Sequence, residues 1–69
     1  MIEAIWTAYA AVYELGDEGL DELIGCSAYE RWLAADMSDE YLAAAHPFEL
    51  EMIRADLEGV VEKFDWAML

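Results

Sequence analysis

The feature that most restricts how this chain folds is a set of apolar side chains recurring every three or four residues behind its single proline. At about 100° per residue, Leu50, Ile53, Leu57, Val60, Val61, Phe64 and Met68 gather into one stripe, the pattern of a helix with one face in a core. Pro47 suits the first position of a helix and keeps His46 before it out of helical conformation, so a helix is predicted from Pro47 to Asp65 or beyond. Phe48, Met52, Ala55, Gly59 and Trp66 fall on nearly the opposite side, with Gly59 small enough to admit a close neighbour. A helix apolar on two sides is expected to be packed on two sides, either centrally in the monomer or across a dimer interface. Glu51, Glu58, Glu62 and Asp65 lie between the stripes, within roughly a 60° sector.

The rest of the chain reads as shorter helices separated by punctuation. Ile2, Ile5, Trp6, Tyr9, Val12 and Tyr13 share one face of a helix over residues 2–15, which Gly16 stops, while Ala4, Ala8 and Ala11 occupy the other side. Residues 17–25 predict an acidic turn or two built on Leu20, Leu23 and Ile24 and closed by Gly25. Ser27-Ala28-Tyr29-Glu30 matches a capping box, so a helix is predicted from 28 to about 36, with Tyr29, Trp32 and Leu33 facing the core. Ser38 is an N-cap for a further short helix to about Ala45, with Asp39 and Glu40 in its first turn. The expected fold is therefore all-α, one domain over residues 1–69. It is a compact bundle of four or five helices, with long first and last helices and short acidic ones between.

A chain of 69 residues buries only about 60% of its unfolded surface, so its core needs support from tight packing or self-association. With one cysteine, Cys26, there is no internal disulfide, and no Cys/His spacing suggests a structural metal. An apolar fraction of 59% is too high for a chain kept unfolded by its charge. No apolar run approaches the roughly 20 residues of a membrane span. The N-terminus lacks the basic start and apolar stretch of a signal peptide, and a lone thiol fits a reducing compartment, so a cytoplasmic location is expected.

Catalysis finds little to work with. The chain offers one His, one Cys and one Lys with no recognisable motif, and a domain this small rarely encloses a ligand pocket, so no enzyme activity and no cofactor are expected. His46 reads as a capping or surface residue, and no metal site is expected because neither HxxxH nor ExxH spacing occurs. Cys26, at the start of a capped helix, has a position where the dipole lowers a thiol pKa, but burial as a small apolar residue is the simpler expectation. Asp17-Glu18-Gly19-Leu20-Asp21 does not follow the ligand order of an EF-hand.

The functional signal is charge. Sixteen acids against three Lys plus Arg give a formal charge of −13, which disfavours direct binding to nucleic acid or anionic lipid and favours a basic partner. Glu14, Asp17, Glu18, Asp21 and Glu22 follow helical spacing, where like charges destabilise a helix by a few tenths of a kcal/mol per pair. Of the basic residues only Arg54 has acids at pairing distance along its helix, Glu51 and Glu58. A merely solvated, solubility-promoting surface is the plain explanation. The sharper one is that carboxylates one turn apart, about 5 to 6 Å, approach the spacing of successive phosphates, so rows of them can occupy a protein's phosphate sites.

In size, charge, scarcity of Lys and Arg, and acidic helical segments such as Asp17-Glu18-Gly19-Leu20-Asp21-Glu22 and 58–65, the chain resembles the small acidic proteins of phages and mobile elements that inhibit host nucleases. These include anti-CRISPR proteins and antirestriction DNA mimics, which share no common motif, so no residue role transfers by position. The resemblance implies a stoichiometric inhibitor in the host cytoplasm that occupies the DNA- or PAM-binding surface of a CRISPR or restriction complex, evading host defence. The candidate partner-binding residues are then Glu14, Asp17, Glu18, Asp21 and Glu22 in a first cluster and Glu51, Glu58, Glu62 and Asp65 in a second. The alternative is an antitoxin- or adaptor-like helical module, monomer or homodimer, binding another protein through Phe48, Met52 and Trp66.

Overall fold

In the computed structural model, which describes residues 2–64, the chain forms α1 (Ile2–Glu14), α2 (Asp17–Leu23), α3 (Ser27–Ala34), α4 (Asp39–Ala44) and α5 (Pro47–Lys63). No strand occurs among the described residues, and the first and last helices are the longest, as the periodicity predicts. No helix among them is long and apolar enough to cross a membrane.

α5 packs against α1, α3 and α2, so its expected stripe is the centre of the core: Ile53, Leu57 and Val60 are buried, and Leu50, Val61 and Phe64 are half-buried against them. Ile5 and Val12 of α1, Leu23 of α2, Ala28, Tyr29 and Trp32 of α3, and Leu42 of α4 complete it. Trp32 sits among aromatic rings, edge-on to Trp6, Tyr9 and Tyr29 at centroid distances of 5.3, 5.5 and 6.1 Å. Such pairs contribute roughly 0.5–1.5 kcal/mol each beyond area burial. The indole N–H of Trp6 donates to Asp39 Oδ1 at 3.0 Å, tying α1 to the start of α4.

The junctions hold most of the departures from expectation. Gly16 turns the chain with φ 76° and ψ −154°, a conformation open essentially to glycine. Gly19, one turn into α2, is buried where a Cβ would stand 2.6 Å from Leu15 Cβ and 3.1 Å from the Val12 carbonyl oxygen. The close approach in this fold is therefore at Gly19, which folds α2 back onto the end of α1. Gly59, expected to admit a neighbour, has open space around it, and Phe48, Met52 and Ala55 on the same stripe are exposed. The second apolar stripe is thus uncovered in the monomer over its described part; Trp66 lies outside the described residues.

The expected capping box is not formed. Ser27 is the first helical residue of α3, Cys26 is the N-cap and offers no side-chain bond, and the Tyr29 N–H is satisfied by Asp56 Oδ2 of α5 at 3.1 Å. An acceptor from a neighbouring helix has replaced the local one. Because the face is rotated accordingly, Ala28 is buried and Leu33 is exposed. Tyr13, expected in the α1 core face, is 63% exposed, while its neighbour Val12 in the same last turn is fully buried.

α3 closes with paired backbone bonds, Asp36 N–H to the Leu33 carbonyl and Met37 N–H to the Trp32 carbonyl, both 2.9 Å, with Asp36 and Met37 at φ 59° and 52°. This is a Schellman-type stop made without glycine. Ser38 caps α4 as predicted, its Oγ accepting the Tyr41 N–H at 3.0 Å. His46 caps α5, its Nδ1 accepting the Phe48 N–H at 3.1 Å. α5 ends at Lys63, short of the predicted Asp65, because Phe64 turns extended with φ −100° and ψ 125°.

Candidate acidic binding surface

Most of the acids have a local structural reason to be where they are. Glu3, Asp17, Glu18, Glu30, Asp39, Glu40 and Glu49 stand in the first turns of the five helices, where unsatisfied N–H groups and the helix dipole favour negative charge. Asp56 is the acceptor for the α3 N-terminus.

The cations consume four more interactions. Arg54 lies between Glu51 and Glu58 at 2.6 and 2.8 Å, Lys63 reaches Glu22 at 2.6 Å, and Arg31 reaches Glu49 at 2.8 Å. Glu49 also accepts the Tyr41 hydroxyl at 2.8 Å, so one carboxylate joins α3, α4 and α5. That hydrogen bond from Tyr41, and then the one from Arg31, holds the Glu49 carboxyl below its ordinary range. The reciprocal contacts push the Tyr41 phenol and the Arg31 guanidinium up. Glu51 and then Glu58 raise Arg54 likewise.

Of the second proposed cluster, then, Glu51 and Glu58 share a cation, Glu62 has none among the described residues, and Asp65 lies outside them. Of the first cluster, Glu22 is tied to Lys63, whereas Glu14, Asp17, Glu18 and Asp21 are exposed and form no ion pair among the described residues. The Glu22–Lys63 bridge fastens α2 to the last turn of α5, the turn that carries Glu62.

Dipole arithmetic sorts these remaining acids further. Asp17 and Glu18 complement the N-terminus of α2, but Glu14 is the last residue of α1, and Asp21 and Glu62 are in the last turns of α2 and α5. A negative charge there opposes the macrodipole by roughly 0.3–1 kcal/mol. Neither α1 nor α2 has a basic residue in its last turn. Among the described residues, Glu14, Asp21 and Glu62 are the cluster members that stand at a helix C-terminus without an ion pair, and of these only Glu62 shares its last turn with a basic residue, Lys63.

An open groove runs between α1 and α5, with a volume of about 610 Å³, lined by Ala4, Thr7, Ala8 and Ala11 on one side and Glu58, Val61 and Glu62 on the other. The alanine side of α1 noted in the sequence is thus one wall of a concave surface whose other wall is acidic.

Comparison with protein-family models, with curated proteins and with solved structures returns no match.

The remaining candidates are quieter. Cys26 is half-buried, and desolvation first, then the charges of Asp56, Glu22 and Glu30, raise its thiol pKa, opposite to the lowering a helix N-terminus gives alone. No grouping of three or more His, Cys, Asp or Glu suited to a metal occurs among the described residues. Asp56, Glu49 and Gly19 were not singled out by the sequence. At 100° per residue Asp56 falls about 40° from Val60 on the α5 wheel, beside the core stripe, and only its distance to α3 makes it a cap.

Proposed function

We propose that this chain is an acidic inhibitor of the DNA-mimic kind, which occupies a Lys/Arg-lined nucleic-acid site of a host complex such as a CRISPR or restriction assembly and so blocks DNA binding. The observation that carries the reading is the set Glu14, Asp17, Glu18 and Asp21 on adjoining helices, exposed and without an ion pair among the described residues although two of them oppose their own helix dipole. Glu62 extends the set onto α5. Arg54 weakens the contribution of Glu51 and Glu58, so the functional weight shifts from the second cluster to the first.

Charge of this density attracts a basic groove over a Debye length and speeds encounter, while affinity falls as salt rises. Competition with duplex DNA for a CRISPR surveillance complex or a restriction nuclease tests the reading. Asp17→Lys with Asp21→Lys should abolish competition while helicity is retained, and unchanged competition would refute it.

A second reading has its own observation. Phe48 is 70% exposed, and Met52, Ala55 and Gly59 continue its stripe uncovered, which suits a helical interaction module of the adaptor or antitoxin kind. Binding through that stripe is insensitive to salt and lost on Phe48→Ser, whereas mimicry responds in the opposite way to both tests.

A further inference from the structure

We propose that the groove between α1 and α5 receives an α-helix of the cationic partner, an inference that rests on the inhibitor reading and names the element recognised. Its floor is Ala4, Ala8, Ala11 and Val61, and its acidic rim is Glu58 and Glu62. Glu14 stands one turn beyond Ala11 on the same side of α1 and prolongs the acidic edge.

Size and floor suit a helix. The groove, about 610 Å³ and open to solvent, is of a size to seat one face of a helix about 10 Å across. Side chains no larger than Ala let a third helix come within the 8–10 Å that helix pairs adopt.

Charge selects the occupant. Thr7 already donates its hydroxyl to the Glu3 carbonyl at 2.9 Å, so the groove presents no spare donor for a phosphate. Its rim carries two carboxylates, of which Glu58 shares Arg54 with Glu51 and Glu62 has no cation among the described residues. A polyanion is repelled there, and a second copy of this chain brings its own charge of −13. The complementary ligand is an amphipathic helix with an Ala/Leu ridge and Lys or Arg at i, i+4 along one flank.

The probe is a synthetic 18-residue helix-forming peptide with that ridge and a lysine flank, compared with a scrambled peptide of the same composition. Calorimetry gives the affinities, and amide shifts of the isotope-labelled protein give the site. The patterned helix should bind at least about tenfold more tightly than the scramble and shift Ala4, Ala8, Ala11 and Val61. Filling the groove with Ala4→Leu and Ala11→Leu should cost about tenfold at unchanged charge, with the melting temperature of the variant confirming the fold. Equal binding of the two peptides, or unaltered binding to the filled variant, overturns the groove as a helix site. Either result leaves the inhibitor reading intact, because that reading fails only if Asp17→Lys with Asp21→Lys still competes with DNA.

Discussion

Two alanine substitutions in the same kind of position should move stability in opposite directions. At Gly59, in the exposed interior of α5, an added Cβ meets nothing within 4 Å, so Gly59→Ala gains only the helix-propensity difference, about 0.5–1 kcal/mol. At Gly19 the same Cβ stands 2.6 Å from Leu15 Cβ and 3.1 Å from the Val12 carbonyl oxygen. A Cβ and a carbonyl oxygen are both fixed to the backbone, here of the last turn of α1 and the residue that follows it, so no rotamer change relieves them. Overpacking costs about 1–3 kcal/mol, and an approach of 2.6 Å to a Cβ that cannot swing away puts this site in the upper half, about 2–3; the propensity gain offsets roughly 1, leaving Gly19→Ala less stable by about 1–2 kcal/mol. For a domain of this size 1 kcal/mol moves the melting temperature by roughly 4–8 °C. Circular dichroism melts at 222 nm should therefore show Gly59→Ala several degrees above the parent and Gly19→Ala about 5–15 °C below it. If both variants melt above the parent, the tight α1–α2 corner does not exist, and the arrangement of Glu14, Asp17, Glu18 and Asp21 derived from it is wrong.

Other consequences follow from single contacts. Asp56→Ala removes the acceptor of the Tyr29 N–H and should cost about 1–2 kcal/mol in urea unfolding, with Asp56→Asn recovering part of it; equal stability of parent and Asp56→Ala would remove the cross-helix cap. Glu49 has a depressed carboxyl pKa, so its contribution is complete above the ordinary glutamate value of 4.5 and is lost as pH falls through the lower folded value. The stability difference between the parent and Glu49→Gln should accordingly be constant near neutrality and shrink in acid, a trend that melts across pH will check. Cys26, its thiol pushed up by desolvation and by Asp56, Glu22 and Glu30, should react with iodoacetamide near pH 8 more slowly in the folded protein than in urea.

The helices were legible because their signals are local. The α5 stripe, the Ser38 cap, the Pro47 start and the Gly16 stop each depend on residues within a turn or two of one another, and each stands where the pattern puts it. What the sequence misassigned depends on neighbours far along the chain. Ser27 loses its capping role to Asp56, 27 residues from Tyr29, and Leu33 and Tyr13 are exposed because tertiary packing decides which side of α3 and of the end of α1 meets the core. The stop at Asp36 and Met37 carries no glycine to announce it.

The acids show the same division. That Glu51 and Glu58 flank Arg54 was visible from spacing, but Lys63 bridging to Glu22 crosses 41 residues and could not be seen. Nor could the sequence separate acids that complement a helix N-terminus from those that oppose a C-terminus until the helix ends were known. That separation isolates Glu14, Asp21 and Glu62.

The central claim is that the exposed carboxylates Glu14, Asp17, Glu18 and Asp21 substitute for phosphates on a basic protein. Displacement of labelled duplex DNA from a CRISPR surveillance complex, measured over a salt series with the parent and with Asp17→Lys plus Asp21→Lys, tests it most directly. The account predicts displacement by the parent that weakens steeply as salt rises and disappears in the double variant. Displacement that is indifferent to salt and survives the charge reversal would contradict it.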